Sequence, residues 1–185
     1  MKKPVAFFVC LFLIFSAAFA AESYVSDGSP LQLEDFTLSL NAGMRCTLNP
    51  REAGKTLVTV HPYAAENDYA AEFMLLWEGG PLDCTPESLN ETRDTLREDL
   101  ASGLQGQGNT TVDSIGIGEA YEAVIGSEPC LVLDATVEFT ARRKVTSCIR
   151  LIYFNDRGYI GRVIAETQEK LEDVTGLLDS MLAWN

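Results

Sequence analysis

The sequence predicts an α+β fold: a single antiparallel β-sheet of about six to seven strands with two main helices packed on it. Three observations carry that reading. Strand-like segments fall into two blocks separated by a helix, whereas a doubly wound parallel sheet needs strand and helix to alternate throughout. Two stretches, opened by Thr85-Pro86 and by Thr167, place apolar residues at helical spacing. The tetrapeptide Asn155-Asp156-Arg157-Gly158 between two apolar runs is a strong hairpin signal.

Residues 1–20 read as a cleaved export leader, with Lys2 and Lys3, an apolar run from Val5 to Phe15, and small residues at Ala18 and Ala20. That run is shorter than the roughly 20 residues a bilayer-spanning helix takes, and no later run is longer, so no membrane span is expected after cleavage. The expected location is periplasmic or secreted. Residues 21–34 are polar and read as a mobile lead-in to a single domain over 35–185.

Phe36, Leu38 and Leu40 alternate with Thr37, Ser39 and Asn41, the period of a half-buried strand. Met44–Leu48 follows a turn, and Leu57, Val58 and Val60 open the next strand. The run from Tyr69 to Trp77 is apolar on both parities, as in a strand covered on both faces. Thr85 and Pro86 start a helix to about Leu104, with Leu89, Leu96, Leu100 and Leu104 on one stripe. Strands are then expected over Thr110–Ile117, Tyr121–Ile125, Leu131–Val137, Val145–Phe154 and Tyr159–Ala165. Leu171, Val174, Leu178 and Met181 mark a last helix, flanked by Leu177 and Trp184.

The chain holds 27 acidic and 14 basic residues, a net charge of −13. Loss of Lys2 and Lys3 with the leader takes 14 basic residues to 12 and the balance from −13 to −15. A field of that sign repels nucleic acid and anionic headgroups, so nucleic acid is not an expected partner. Of 5 cysteines, Cys10 leaves with the leader. Cys46, Cys84, Cys130 and Cys148 are expected to form two disulfides, for which three connectivities exist. A register that sets Cys130 opposite Cys148 also sets Asp134 opposite Lys144, and Cys46 would then join Cys84. No C-x-x-C pair offers a metal knuckle.

His61 is the single histidine. It stands without a nucleophile elbow, an H-E-x-x-H pair, a calcium loop or a phosphate loop around it, so a surface histidine is expected, with no catalytic residue, cofactor or metal site. The acids Glu87, Glu91, Asp94, Glu98 and Asp99, and later Glu166, Glu169, Glu172 and Asp173, fit solvated helix faces. A pair of them in a pocket would make a small secreted hydrolase the second reading. Gly103, Gly106, Gly108, Gly116 and Gly118 read as a helix stop and a loop. Arg142, Arg143 and Lys144 form the one basic cluster, near a hairpin tip, where they protect a sheet edge or receive an acidic partner. Asn90-Glu91-Thr92 and Asn109-Thr110-Thr111 match the N-glycosylation pattern. Tyr63, Tyr121 and Trp77 are candidate patch residues, Trp77 being the one expected to be core.

The segments "DFTLSLNAGM", "IGSEPCLVLDATVEF" and "RLIYFNDRGYIGRVIAE", with a helix between the first two and a closing helix, resemble the PsbP-like fold group, which includes exported DcrB-like proteins. That resemblance covers roughly residues 34–184 and implies one antiparallel sheet flanked by helices, acting as a binding or assembly module. It supplies no catalytic residue, and the four cysteines and the missing lipid-attachment cysteine depart from it. The expected function is an exported, non-enzymatic module that binds a protein or a cell-envelope component. An inhibitor-like or cystatin-like scaffold shares the same composition.

Overall fold

The computed structural model describes residues 22–50, 56–61, 71–105 and 110–185. The leader, Tyr63, Gly106, Gly108 and Asn109 lie outside the described residues. In chain order the elements are β1 (Glu22–Val25), β2 (Leu31–Gln32), β3 (Phe36–Leu38), β4 (Arg45–Pro50), β5 (Thr56–His61) and β6 (Ala71–Trp77). Helices α1 (Pro86–Glu91) and α2 (Arg93–Gln105) follow, then β7 (Thr111–Ile117), β8 (Tyr121–Ile125), β9 (Glu128–Thr140), β10 (Lys144–Phe154) and β11 (Tyr159–Ala165). Helix α3 (Gln168–Met181) and β12 (Leu182–Trp184) close the series.

The architecture corrects the expected one. The main sheet has 9 strands in the order β1-β4-β5-β6-β11-β10-β9-β7, with β8 also on β9, and a second sheet of 3 strands runs β12-β3-β2. The protein is mostly β with three helices among the described residues, in place of one sheet of six to seven strands under two helices. The extra strands are short and carry little periodicity. β1 and β2 fall within 21–34, the segment read in the sequence as a mobile lead-in, and β3 lies in the small sheet.

Two apolar cores follow from the sheet's being covered on both faces. On one face, Leu89, Leu96 and Leu100 of the first helices pack on Leu131, Leu133, Ala135 and Val137 of β9 and on Ile149, Leu151 and Tyr153 of β10. On the other, Leu171, Val174, Leu178 and Met181 of α3, with Phe36 and Leu38 of the small sheet, pack on Val132, Ile152, Phe154, Val163, Phe73 and Leu75. Strands β9 and β10 are therefore apolar on both parities, the pattern of a twice-covered strand.

The expected helix after Thr85 divides at Thr92, whose hydroxyl donates to the Leu89 carbonyl at 2.8 Å. Thr85 caps α1 as its residue type predicts: its Oγ1 accepts from the Ser88 amide at 3.1 Å, and Ser88 Oγ accepts from the Thr85 amide at 2.9 Å. The last helix stops sooner than its apolar spacing suggests. Leu182 is extended (φ −84, ψ 121), so Trp184 pairs with Phe36 in the small sheet instead of continuing the stripe. There it meets Phe36, Phe154 and Tyr159 ring to ring at 4.9–5.4 Å between centroids.

The turn after β10 locks three regions together. The Glu78 and Leu82 amides donate to the Gly158 and Asn155 carbonyls, each at 2.8 Å, and the Asn155 side chain donates to the Cys84 carbonyl at 2.9 Å. Arg157 pairs with Glu128 at 3.2 Å and donates to the Asn185 carbonyl at 3.1 Å. Gly158 sits at φ 68, and a Cβ there would lie 2.2 Å from the Gly80 carbonyl oxygen.

The disulfide expectation is also corrected. Cys46, Cys84, Cys130 and Cys148 are all free thiols. Cys148 lies opposite Thr136 and Lys144 opposite Thr140, so Cys130 and Cys148 are not neighbours across β9 and β10. Cys46 belongs to the α3-side core and Cys84 packs on the opposite one, which puts the sheet between them. Burial, then the Asp179 charge, pushes the Cys130 thiol up to about 11, and burial, then the Asp83 charge, raises that of Cys84. Thiol titration without reductant should therefore find four reactive groups per processed chain in denaturant. In the native state half-buried Cys84 should react first, and a denatured count of zero would restore the disulfides.

Candidate functional site

The longest strand pairing among the described residues carries a buried charge network at one level and the basic cluster at its end. β9 and β10 have 13 and 11 residues and join through Ala141–Arg143, with Thr140 opposite Lys144. On the α3 side of this hairpin, Lys144, Thr146, Cys148 and Arg150 of β10 lie opposite Thr140, Glu138, Thr136 and Asp134 of β9. Helix α3 begins just after Ala165, which pairs with Cys148, so it backs Arg150 but leaves the hairpin end uncovered.

At the covered level Arg150 is buried, with its side chain 7% exposed. Its Nε and Nη2 donate to the two Asp134 oxygens at 2.7 and 2.8 Å, and its Nη2 and Nη1 to the two Glu172 oxygens at 2.9 and 3.0 Å. The remaining bond runs from Nη1 to Thr175 Oγ1 at 3.2 Å, so all the donors of the guanidinium are used. Gln168 donates to Glu172 at 2.7 Å, and the Tyr121 hydroxyl donates to Asp134 at 3.3 Å. Hydrogen bonding from Arg150 holds the Glu172 carboxyl below its ordinary range, while burial, then the Asp134 charge, raises the Tyr121 phenol.

A carboxyl whose folded pKa lies below its unfolded one stabilises the fold above the unfolded value, about 4.3, and loses that contribution as pH falls. Glu172→Gln should flatten the acid limb of the stability profile below about pH 4.5 relative to wild type. Urea unfolding across that range checks it, and parallel acid limbs would remove Glu172 from the network.

At the open end, Arg142, Arg143 and Lys144 are exposed at the hairpin tip. Lys144 lies 3.4 Å from Glu138, which also accepts from Ser114 Oγ at 3.2 Å. Tyr121 is exposed on β8, opposite Val132, roughly 27 Å from Thr140 along β9 at about 3.4 Å per residue. The fold therefore separates Tyr121 from the basic tip. Trp77 is half-buried against the α3-side core, and His61 is half-buried at the end of β5, opposite Arg45. Asn90 Oδ1 accepts from the Ala120 amide at 2.9 Å, so this sequon's side chain serves the fold.

No family model matches the sequence, and no curated protein matches it. A solved structure of LpqN, described as involved in cell envelope biogenesis of Mycobacterium tuberculosis, is similar at 12% identity and a TM-score of 0.33, over 90% of this chain and 92% of that one. No family is assigned. The PsbP-like resemblance is not confirmed by these comparisons, and a likeness of that TM-score carries no argument for this chain.

Among the residues the sequence reading passed over, Arg150 is the central one. Its signal was its setting: an arginine inside the apolar run Cys148–Phe154, on the same parity as Asp134 once the hairpin is paired.

Proposed function

We propose that the protein is an exported, non-enzymatic binding or assembly module of the cell envelope, working through the open hairpin end of its sheet. The leader pattern in residues 1–20 supports export. The observation that carries the binding role is the tip itself: Arg142 and Arg143 are exposed and make no ion pair among the described residues of a strongly acidic chain.

The hydrolase reading gains nothing from the carboxylates the fold brings together. Arg150 lies between Asp134 and Glu172, and Glu172 is held below its ordinary range, whereas a general acid needs a raised pKa.

A photoreactive amino acid placed at Ala141, with a second at Ser180 on α3 as control, tests the proposal in intact producing cells. The expected result is a processed chain in the envelope fraction that crosslinks to an envelope component from position 141 and not from 180. An unprocessed cytoplasmic chain, or equal crosslinking from both positions, would overturn it.

A further inference from the structure

Resting on that binding role, we propose that the partner is an acidic protein surface, engaged by the Arg142 and Arg143 guanidiniums at the β9–β10 tip. The first ground is compensation. Three cations elsewhere are paired, Arg97 with Asp94, Arg150 with Asp134 and Glu172, and Arg157 with Glu128, and at the tip Lys144 lies against Glu138. Half-buried Arg45 and Arg93 have no ion pair among the described residues, but Arg142 and Arg143 are the exposed pair that lacks one. With 27 acids for 14 bases, acids are not scarce. Two carboxylates near the tip bond other groups than the arginines, Asp113 accepting from Thr140 Oγ1 at 2.9 Å and Glu138 engaging Ser114 and Lys144, and both keep their charge.

The second ground is distance from the acidic body. Cys148, opposite Ala165, marks the level at which α3 begins. The tip extends about 14 Å beyond it at about 3.4 Å per residue. Screening falls off over about 8 Å at physiological ionic strength, so the Glu169, Glu172 and Asp173 charges are largely screened at the tip. On the other face α2 carries Asp94, Glu98 and Asp99 in its first two turns, and its final stretch Ala101–Gln105 is uncharged. Arg142 and Arg143 thus lie beyond the reach of the helix acids, with Asp113 and Glu138 offsetting only part of the charge at the tip.

The chemistry then selects among anionic partners. Each Lys or Arg near an anionic leaflet strengthens partition by about fivefold, so three give about a hundredfold, and lipid-binding clusters hold about four to eight. The net charge, −13 for the full chain and −15 without Lys2 and Lys3, opposes even that gain by keeping the body from the leaflet. A small free anion would need groups to enclose it, and a three-residue loop exposed at Ala141, Arg142 and Arg143 provides none. A carboxylate on a protein supplies both the planar match to the arginine fork and the surface that excludes water on docking.

Isotope-labelled processed chain titrated with poly-L-glutamate, with vesicles of phosphatidylcholine and phosphatidylglycerol in parallel, tests this. Saturable shifts should centre on Ala141 to Lys144 and the arginine Nε–H groups. The double substitution Arg142→Ser, Arg143→Ser should raise the half-saturation concentration at least about tenfold. Lys144→Ser, removing an ammonium already held by Glu138, should change it little, and vesicles should not sediment the protein. An unchanged titration in the double variant, shifts centred on β8 or α2, or vesicle binding stronger than polyglutamate binding would each overturn the assignment. The tip is exposed, so the variants' unperturbed spectra elsewhere report that they fold. If polyglutamate binding survives the double substitution while crosslinks from position 141 persist in cells, the partner class falls and the binding role stands.

Discussion

Arg150→Met should lower the free energy of unfolding by about 3 kcal/mol, the lower end of the range for breaking a buried ion pair by deleting one partner. The lower end applies because Asp134 and Glu172 keep side-chain exposures of 31% and 56% and regain some water when the guanidinium goes. What remains is two carboxylates facing each other over an apolar stem, with Thr175 and Tyr121 unable to neutralise either. Arg150→Lys should recover only part of the loss, since an ammonium cannot replace a fork that binds two carboxylates edge-on. Combining Arg150→Met with Asp134→Asn and Glu172→Gln should return much of it by removing the stranded charges. Urea midpoints measure all of these, and a loss under about 1 kcal/mol for Arg150→Met would reduce the cluster to an exposed-type pair.

Gly158→Ala should cost a similar amount, about 3 kcal/mol, by a different route. Part is the left-handed backbone, about 1–2 kcal/mol for a residue with a Cβ. The rest comes from a Cβ placed 2.2 Å from the Gly80 carbonyl oxygen and 2.5 Å from its carbon, backbone atoms that move only if the 78–82 segment lifts off the turn. Lifting breaks the amide bonds of Glu78 and Leu82 to Gly158 and Asn155. Gly79→Ala is the control: it too has positive φ (97), but nothing lies within 4 Å of its Cβ, so only the backbone part should be lost. Equal losses at 158 and 79 would show that the contact with Gly80 contributes nothing.

The existence of strands β9 and β10 and the capped starts at Thr85 and Thr167 could be read in the sequence, because strand composition and capping leave local marks; that β9 and β10 are covered on both faces was not among those readings. Register left no such mark. Ala141-Arg142-Arg143 has no Gly, Asn or Asp to announce a turn, so the cysteines with Asp134 and Lys144 suggest a plausible but shifted pairing. In the true register Asp134 meets Arg150, and the centre of the polar network follows from that pairing. The exposed basic tip is legible as a cluster of charge; that Glu138 and Asp113 engage Lys144 and Thr140 and leave Arg142 and Arg143 without an ion pair appears only on folding. β12 stayed hidden because Leu182 and Trp184 extend a helical stripe, and only the aromatic neighbours Phe36, Phe154 and Tyr159 give a reason for the chain to straighten there.

The small sheet also sets an order of assembly. One edge of β3 pairs with nearby β2, but the other closes only against β12, and Asn185 then ties the arrangement through its side-chain amide to the Leu33 and Glu34 carbonyls at 3.1 and 3.2 Å, contacts spanning about 150 positions. Loop closure of that length is slow, and the second sheet edge beside Phe36 and Leu38 stays open until the last strand has been synthesised. A ribosome-bound or translocating intermediate should therefore display an apolar N-terminal stretch for most of its lifetime, a natural client for a holding chaperone.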